Sequence, residues 1–111
     1  MSRRGPITTS VLLKVGDLQL DTATREVRRA SRAIGLTPRE YSLLELLMRN
    51  AGRPLSRGAI LERVWGFESD VEENTVEAFI RLLRQKIDAG LEPKLIHTVR
   101  GVGYCLRAPE G

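Results

Sequence analysis

The most strongly patterned stretch of the chain runs from Asn74 to Ile87 and reads NTVEAFIRLLRQKI. Its apolar residues recur three and four positions apart, which is typical of an amphipathic helix that buries one face. The buried face should consist of Val76, Phe79, Ile80, Leu83 and Ile87. The opposite face, at about 100° of rotation per residue, would carry Asn74, Ala78, Arg81 and Gln85, bordered by Thr75, Glu77, Leu82 and Arg84.

The outer face of this helix has the residue types that read DNA in the major groove. Arg, Asn and Gln make bidentate hydrogen bonds with base edges, and small apolar groups contact thymine methyls. We therefore expect Arg81 and Arg84 to contact phosphates or bases. A solvated basic surface is the alternative, because amphipathic helices with basic outer faces are common.

Length and charge favour one domain with a polyanionic partner. The chain has 111 residues, 41% of them hydrophobic, and a net charge of +4. Residues 68–77 hold five acidic and no basic residues, whereas residues 78–107 hold six basic and two acidic ones. The last third therefore carries an excess of +4, equal to that of the whole chain. Such a charge favours a polyanionic partner but does not require one.

Several functional classes are disfavoured. One cysteine, Cys105, excludes an internal disulfide and a cysteine-based zinc site, and the single histidine, His97, forms no catalytic pair. Both fit strand patterns, and Cys105 would be inert if it faced inward. No apolar run reaches the length of a membrane span, and the first ten residues lack the core of a signal peptide. We expect a cytoplasmic protein without enzymatic activity, metal or cofactor, and without a membrane partner.

The chain begins with residues 1–10, expected to be a flexible linker or an expression-vector remnant. Residues 11–36 consist of short apolar runs separated by turn residues, which predict four short strands. The alternation around Val27 buries little, so the sheet should be thin, one-sided and antiparallel. The domain should span residues 11–107, followed by a tail at residues 108–111.

Two helices should precede the patterned stretch. In the first, Thr37 and Glu40 form a capping box around Pro38, and Gly52 provides a left-handed stop. Its buried residues should be Tyr41, Leu44, Leu47, Met48 and Ala51. The second starts at Ser56, closes at Gly66 and packs inward through Ile60, Leu61 and Val64. The patterned helix itself should begin with a capping box of Asn74 and Glu77.

The chain then ends in a predicted hairpin. Residues 95–99 and 104–107 form apolar strands around the loop RGVG, in which Gly101 and Gly103 serve as turn residues and Arg100 lies at the tip. Four strands, three helices and a hairpin make an α+β fold, a winged helix-turn-helix. In such a fold the third helix enters the major groove, and a cation on the wing reaches the adjacent minor groove.

Four motifs in this order carry a family resemblance: LTPREYSLLELL, LSRGAILERVWG, NTVEAFIRLLRQKI and IHTVRGVGY. They resemble the C-terminal DNA-binding domain of OmpR/PhoB-type two-component response regulators over about residues 11–107. The resemblance implies a bacterial transcription factor that binds direct-repeat half-sites in double-stranded DNA as head-to-tail dimers. It also implies that the wing's end strand pairs with a further strand. The family's receiver domain is missing from the chain, so we expect the effector half of a longer regulator, monomeric in isolation.

The resemblance also implies roles for individual residues. Arg100 would enter the minor groove, Thr75 would contact phosphate, and Arg57 and Trp65 would contact the backbone. The predicted DNA-binding residues are Arg57, Trp65, Asn74, Thr75, Ala78, Arg81, Leu82, Arg84, Gln85, Thr98, Arg100 and Tyr104. Solvent exposure is the alternative for the arginines, a plain first-turn position for Thr75, and packing within the domain for Tyr104 and Trp65.

This sequence departs from better-known members at three positions. Leu82 replaces an arginine that reads bases, Phe79 a common histidine and Asn74 a common arginine. Leu82 with Ala78 could instead contact thymine methyls and favour half-sites that contain T. Extension of the buried stripe is the alternative for Leu82.

An acidic loop precedes the third helix. It contains Glu68, Asp70, Glu72 and Glu73, and in the family the equivalent loop faces RNA polymerase. A loop of this charge would be repelled by phosphate, so it should point away from DNA; a merely solvated loop is the alternative. The competing hypothesis for the whole chain is a winged-helix protein-interaction module without a specific DNA target.

Overall fold

The N-terminal part of the chain is a four-stranded antiparallel meander. The computed structural model describes residues 11–66 and 70–109, so the expectations for residues 1–10, Glu68 and residues 110–111 lie outside the described residues. The strands are β1 (Leu12–Val15), β2 (Leu18–Asp21), β3 (Glu26–Arg29) and β4 (Arg32–Ile34), in the order β1-β2-β3-β4. The predicted four-stranded sheet is confirmed.

The inner face of the sheet buries more than the sequence indicated. Val15, Leu18, Leu20 and Val27 enter the core, as alternation requires. Arg29 follows Val27 on the same face and is fully buried. The expectation that this strand buries little was wrong, because its charged residue finds internal partners.

Helix α1 (Pro38–Arg49) begins as predicted. The Thr37 hydroxyl accepts from the Glu40 amide, and the Glu40 carboxylate accepts from the Thr37 amide. The helix ends earlier than expected, because the Asn50 side-chain amide donates to the Leu46 carbonyl at 2.8 Å. Ala51, predicted to be buried, is therefore beyond the helix and exposed. Gly52 has a positive φ of 86°, but it follows the capping residue by two positions.

Helix α2 (Arg57–Trp65) follows the short strand β5 (Leu55–Ser56). The Ser56 hydroxyl accepts from the Ala59 amide at 3.0 Å, which confirms the predicted N-cap. Ile60 is fully buried, and Leu61 and Val64 are half-buried against the core.

Helix α3 (Glu73–Ile87) is the predicted third helix. Val76, Ile80, Leu83 and Ile87 are buried and Phe79 is half-buried, so the predicted inner face is confirmed. The capping box of Asn74 and Glu77 was wrong. The helix begins at Glu73, which places Asn74 inside the first turn, and the N-cap Glu72 makes no side-chain capping bond.

The wing consists of β6 (Ile96–Val99) and β7 (Gly103–Leu106). The second sheet has the order β5-β7-β6, which confirms that the wing's end strand pairs with a further strand. The loop is three residues, Arg100 to Val102, and the Val102 amide donates to the Val99 carbonyl at 3.0 Å.

Gly103 was expected in the turn but is the first residue of β7. It pairs with Ser56, and a Cβ atom there would overlap the Leu55 carbonyl oxygen and lie 2.9 Å from the Ser56 Cα atom. The close approach of β5 therefore requires glycine at this position.

Within the part of the chain that the structure describes, no helix has the length and apolar character needed to cross a membrane.

We expect Gly103→Ala to lower the free energy of unfolding by about 1–3 kcal/mol, because the new methyl group overlaps the β5 backbone. Gly35→Ala is the matched control, since a Cβ atom at Gly35 meets nothing within 4 Å. Urea unfolding of both variants measures the difference. Equal stabilities of the two variants would contradict the close approach.

A second prediction concerns Glu40, which links α1 to α3 through Lys86 at 2.6 Å. Burial raises the pKa of Glu40, but hydrogen bonds from Lys86 and Thr37 outweigh it and hold the pKa below its ordinary value. Because a lowered pKa adds stability only where the carboxylate is ionised, Glu40→Gln should cost about 1 kcal/mol near neutral pH. The cost should disappear as the pH falls through the ordinary glutamate range and below it.

Urea unfolding between neutral pH and pH of about 3 measures this cost, with the exposed Glu62→Gln as control. A cost for Glu40→Gln that is independent of pH would contradict the assigned ionic contact.

Candidate nucleic-acid interface

The outer face of α3 is open to solvent. Its four predicted residues are all exposed: Asn74, Ala78, Arg81 and Gln85. Leu82 borders this face and exposes 41% of its surface, so it does not extend the buried stripe. Thr75 is half-buried in the first turn, where its amide donates to the Glu72 carbonyl at 2.9 Å. The face thus combines amides, a guanidinium and short apolar groups.

Arg84 joins α3 to the wing. Its Nη2 donates to the Thr98 hydroxyl at 2.7 Å, and its Nε donates to the Ile96 carbonyl at 3.3 Å. The side chain is half-buried as a result. Arg84 therefore fixes the position of β6 against the helix, and Thr98 lies directly beside α3.

Tyr104 lies between two guanidinium groups. Arg84 and Arg57 stand 5.9 and 6.0 Å from the centroid of its ring, and only 5% of the residue is exposed. The ring packs the wing against α2 and α3 at the same time. A DNA contact of Tyr104 stays a prediction, limited to this small exposed fraction.

Arg57 and Glu77 form an ion pair between α2 and α3. Nε of Arg57 lies 3.0 Å from Oε2 of Glu77, but the N–H is not aligned with the carboxylate, so no hydrogen bond forms through Nε. The neighbouring Tyr104, and then the charge of Glu77, raise the pKa of Arg57. The pair neutralises the carboxylate that borders the outer face of α3.

Trp65 holds the end of α2 on α3. Its ring meets the Phe79 ring edge-on, with centroids 5.1 Å apart and an interplanar angle of 80°. The Arg39 guanidinium lies 5.4 Å from the indole centroid and donates to the Val64 carbonyl at 2.7 Å. Trp65 is half-buried, so the indole packs between helices and keeps an accessible part.

The wing tip is exposed, at the end of the strand that Arg84 joins to α3. Arg100 and Val102 are exposed in the loop, and Val102 exposes 47% of its surface. Two positions before Arg100, Thr98 accepts the hydrogen bond from Arg84. The two predicted DNA-contacting elements are therefore adjacent and joined to each other.

The chain matches the model of a known protein family. The model of the family described as "Transcriptional regulatory protein, C terminal" matches residues 31–106. The chain belongs to this family. Its winged-helix fold is of the OmpR/PhoB type, as the motifs indicated.

An individual relative agrees with this family assignment. Response regulator MprA of Mycobacterium bovis (strain BCG / Pasteur 1173P2) is 51% identical over 98 residues, covering 88% of this chain and 43% of MprA. The chain thus spans less than half the length of the curated relatives it matches.

Two solved structures are also similar. DrrB, a Thermotoga maritima OmpR/PhoB homolog, has a TM-score of 0.77 at 31% identity, covering 87% of this chain and 44% of DrrB. The Klebsiella pneumoniae RstA DNA-binding domain in complex with RstA box has a TM-score of 0.76 at 30% identity. The match covers 86% of this chain and 96% of the RstA chain.

The described residues of the predicted acidic loop lie at the N-terminal end of α3. Asp70, Glu72 and Glu73 are exposed there. Glu68 lies outside the described residues.

Sequence reasoning missed two groups of residues. It did not find that Arg57 is paired with Glu77. It also missed the contact between Arg29 and Asp88, which are 59 positions apart and carry no local pattern. Neither pairing has a sequence signal, since each depends on which elements the fold brings together.

Proposed function

We propose that the chain is the DNA-binding effector domain of a bacterial two-component response regulator and controls transcription by binding specific double-stranded DNA. In this proposal α3 lies in the major groove and Arg100 enters the adjacent minor groove. One observation carries the proposal: Arg84 holds the wing beside the exposed face of α3 through Thr98 and Ile96. Two reading elements joined in this way can contact neighbouring grooves together.

The outer face of α3 supports major-groove recognition by its chemistry. Arg81 and Gln85 lie one helical turn apart and are exposed, so their donors can reach neighbouring base edges or phosphates. Ala78 and Leu82 together add exposed apolar surface, which is suited to thymine methyls. Asn74 adds an amide in the first turn.

The wing supports minor-groove recognition. A narrow minor groove concentrates negative potential and attracts an inserted guanidinium. Arg100 is exposed and is followed by Gly101, whose φ of 79° allows the sharp loop at the tip. In the proposed complex the exposed Thr98 contacts the DNA backbone.

Charge placement agrees with this orientation. The ion pair with Arg57 neutralises Glu77, so that this carboxylate repels phosphate less strongly. In the proposed complex Asp70, Glu72 and Glu73 point away from the duplex and toward RNA polymerase. Arg57, Trp65 and Thr75 would contact the DNA backbone.

The proposal also covers how two domains assemble on DNA. We propose that two domains bind direct-repeat half-sites head to tail, and that the isolated domain is monomeric. The complex of the RstA DNA-binding domain with RstA box supports DNA as the partner of this chain. The receiver domain would belong to the remainder of a longer regulator, as the 43% coverage of MprA suggests.

The first test of this function is duplex binding. We expect the domain to select a preferred duplex from a random pool. Its affinity for that duplex should fall steeply as the salt concentration rises, because phosphate contacts release counterions. Arg100→Ala should weaken binding about tenfold, the usual cost of a specific arginine contact. Fluorescence anisotropy of the selected duplex measures both effects.

Arg32→Ala serves as the matched control, because Arg32 is exposed on β4, in the N-terminal sheet. It removes the same charge but should leave the affinity within about twofold. Failure to select any duplex, or binding indifferent to salt and to Arg100, would contradict the proposal and favour a protein-interaction module.

A further prediction concerns base preference. If Leu82 contacts a thymine methyl, Leu82→Arg should replace a T preference by a G preference at one position of the half-site. Leu12→Arg, at a leucine that is 50% exposed on β1, controls for the added charge. Duplex selection with both variants gives the measurement. An unchanged half-site for Leu82→Arg would show that Leu82 does not read a base.

A further inference from the structure

The most deeply buried charge in the described chain is Arg29, which is fully inaccessible. Its Nε donates to Asp17 at 2.8 Å, and its Nη1 donates to both the Asp88 carboxylate and the Ile87 carbonyl at 2.8 Å. Its Nη2 donates to the Pro93 carbonyl. One side chain of the N-terminal sheet thus connects β3, the end of α3 and the segment that leads into the wing.

Asp88 carries this connection to the first residues of the wing. It is 4% exposed and caps the C-terminal end of α3. Its Oδ1 accepts from the Leu95 amide and its Oδ2 from the Ile96 amide, each at 3.1 Å. The carboxylate that Arg29 holds therefore fixes the start of β6 at the end of the recognition helix.

The wing is consequently joined to α3 by Asp88 at the Ile96 amide and by Arg84 at the Ile96 carbonyl and at Thr98. Arg100 lies four positions beyond Ile96, which corresponds to about 13 Å of extended strand. A rotation of about 5° at the start of β6 would displace the tip by roughly 1 Å, a distance that matters for a hydrogen bond.

A purely structural explanation of Arg29 is weak. Replacing a buried ion pair by apolar residues is often neutral or stabilising, because desolvation of both charges offsets their attraction. What an apolar side chain could not supply is the set of directional bonds to Asp17, Ile87, Asp88 and Pro93. The bond to Asp88 bears on where β6 starts relative to α3, because the same carboxylate accepts from the Leu95 and Ile96 amides.

We propose that Arg29 is a positioning residue for DNA binding, which acts through Asp88 to set the position of the wing arginine relative to the recognition helix. This inference rests on the proposed function, because it assumes that Arg100 contacts DNA. It assigns to the N-terminal sheet a part in DNA recognition, although β3 itself need not touch the duplex.

A double-mutant cycle between Arg29 and Arg100 tests this role. Arg29→Lys keeps the charge but cannot reach all four acceptors with one ammonium group. Affinities of the wild type, Arg29→Lys, Arg100→Ala and the double variant are measured by anisotropy on the selected duplex. Arg28→Lys, at the exposed neighbouring position on β3, is the matched control.

In the wild-type background Arg100→Ala should weaken binding about tenfold. In the Arg29→Lys background the same change should weaken binding about twofold or less, because the displaced tip no longer makes its contact. In the Arg28→Lys background the tenfold effect should remain. A uniform loss of folded protein lowers all affinities by one factor and leaves the effect of Arg100→Ala unchanged, so that result would overturn the proposal.

Two further outcomes are distinguishable. If the wild type binds DNA but Arg100→Ala has no effect, the wing contact in the proposed function fails, and the positioning role fails with it. If Arg29→Lys does not fold, as judged by circular dichroism, Asp88→Asn replaces it in the cycle. That variant keeps the shape of the side chain and one acceptor oxygen. It loses the second oxygen, so that Arg29 and the Leu95 and Ile96 amides, which all donate to Asp88, no longer all have an acceptor. An undiminished Arg100 effect in Asp88→Asn would equally overturn the proposal.

Discussion

Burial of one face of α3 is the constraint on which the rest of the domain depends. Val76, Ile80, Leu83 and Ile87 are at most 1% exposed, so the rotation of the helix about its axis is fixed. With that rotation fixed, the positions of Arg81 and Gln85 on the solvent side follow from helix geometry alone. The other helices and the N-terminal sheet complete the same core, and thereby hold the recognition face in one orientation.

Polar contacts also help to determine where the wing lies. Arg84 and Tyr104 fix its side toward α3, whereas Asp88 fixes its beginning. Gly103 permits β5 to pair with β7, which secures the opposite edge of the wing. Hydrophobic packing holds both α3 and the buried wing residues Ile96, Tyr104 and Leu106, and directional bonds add to it at the wing, so the interface depends on both kinds of interaction.

The sequence predicts the elements well and the contacts between them poorly. The four strands, two of the three helix N-caps and the exposed face of α3 follow from local patterns, because period and capping chemistry are local properties. The capping box of Asn74 was wrong because helix α3 begins two residues earlier than that cap requires, with Glu72 and not Asn74 as the N-cap. Gly103 was misassigned because its conformation is ordinary, and its glycine is required by a strand almost 50 positions earlier. Only the fold shows that Arg84, Arg57 and Tyr104 stack together, since no pattern in the sequence joins them.

The central claim is that α3 and the wing tip bind one duplex together. Nuclear magnetic resonance of the 15N-labelled domain, titrated with its selected duplex, tests that claim most directly. We expect coincident shift changes at the amides of Arg81, Gln85 and Arg100, with the exposed amides of β1 and β4 unaffected. Shift changes confined to the N-terminal sheet, or to α3 without the wing, would contradict it.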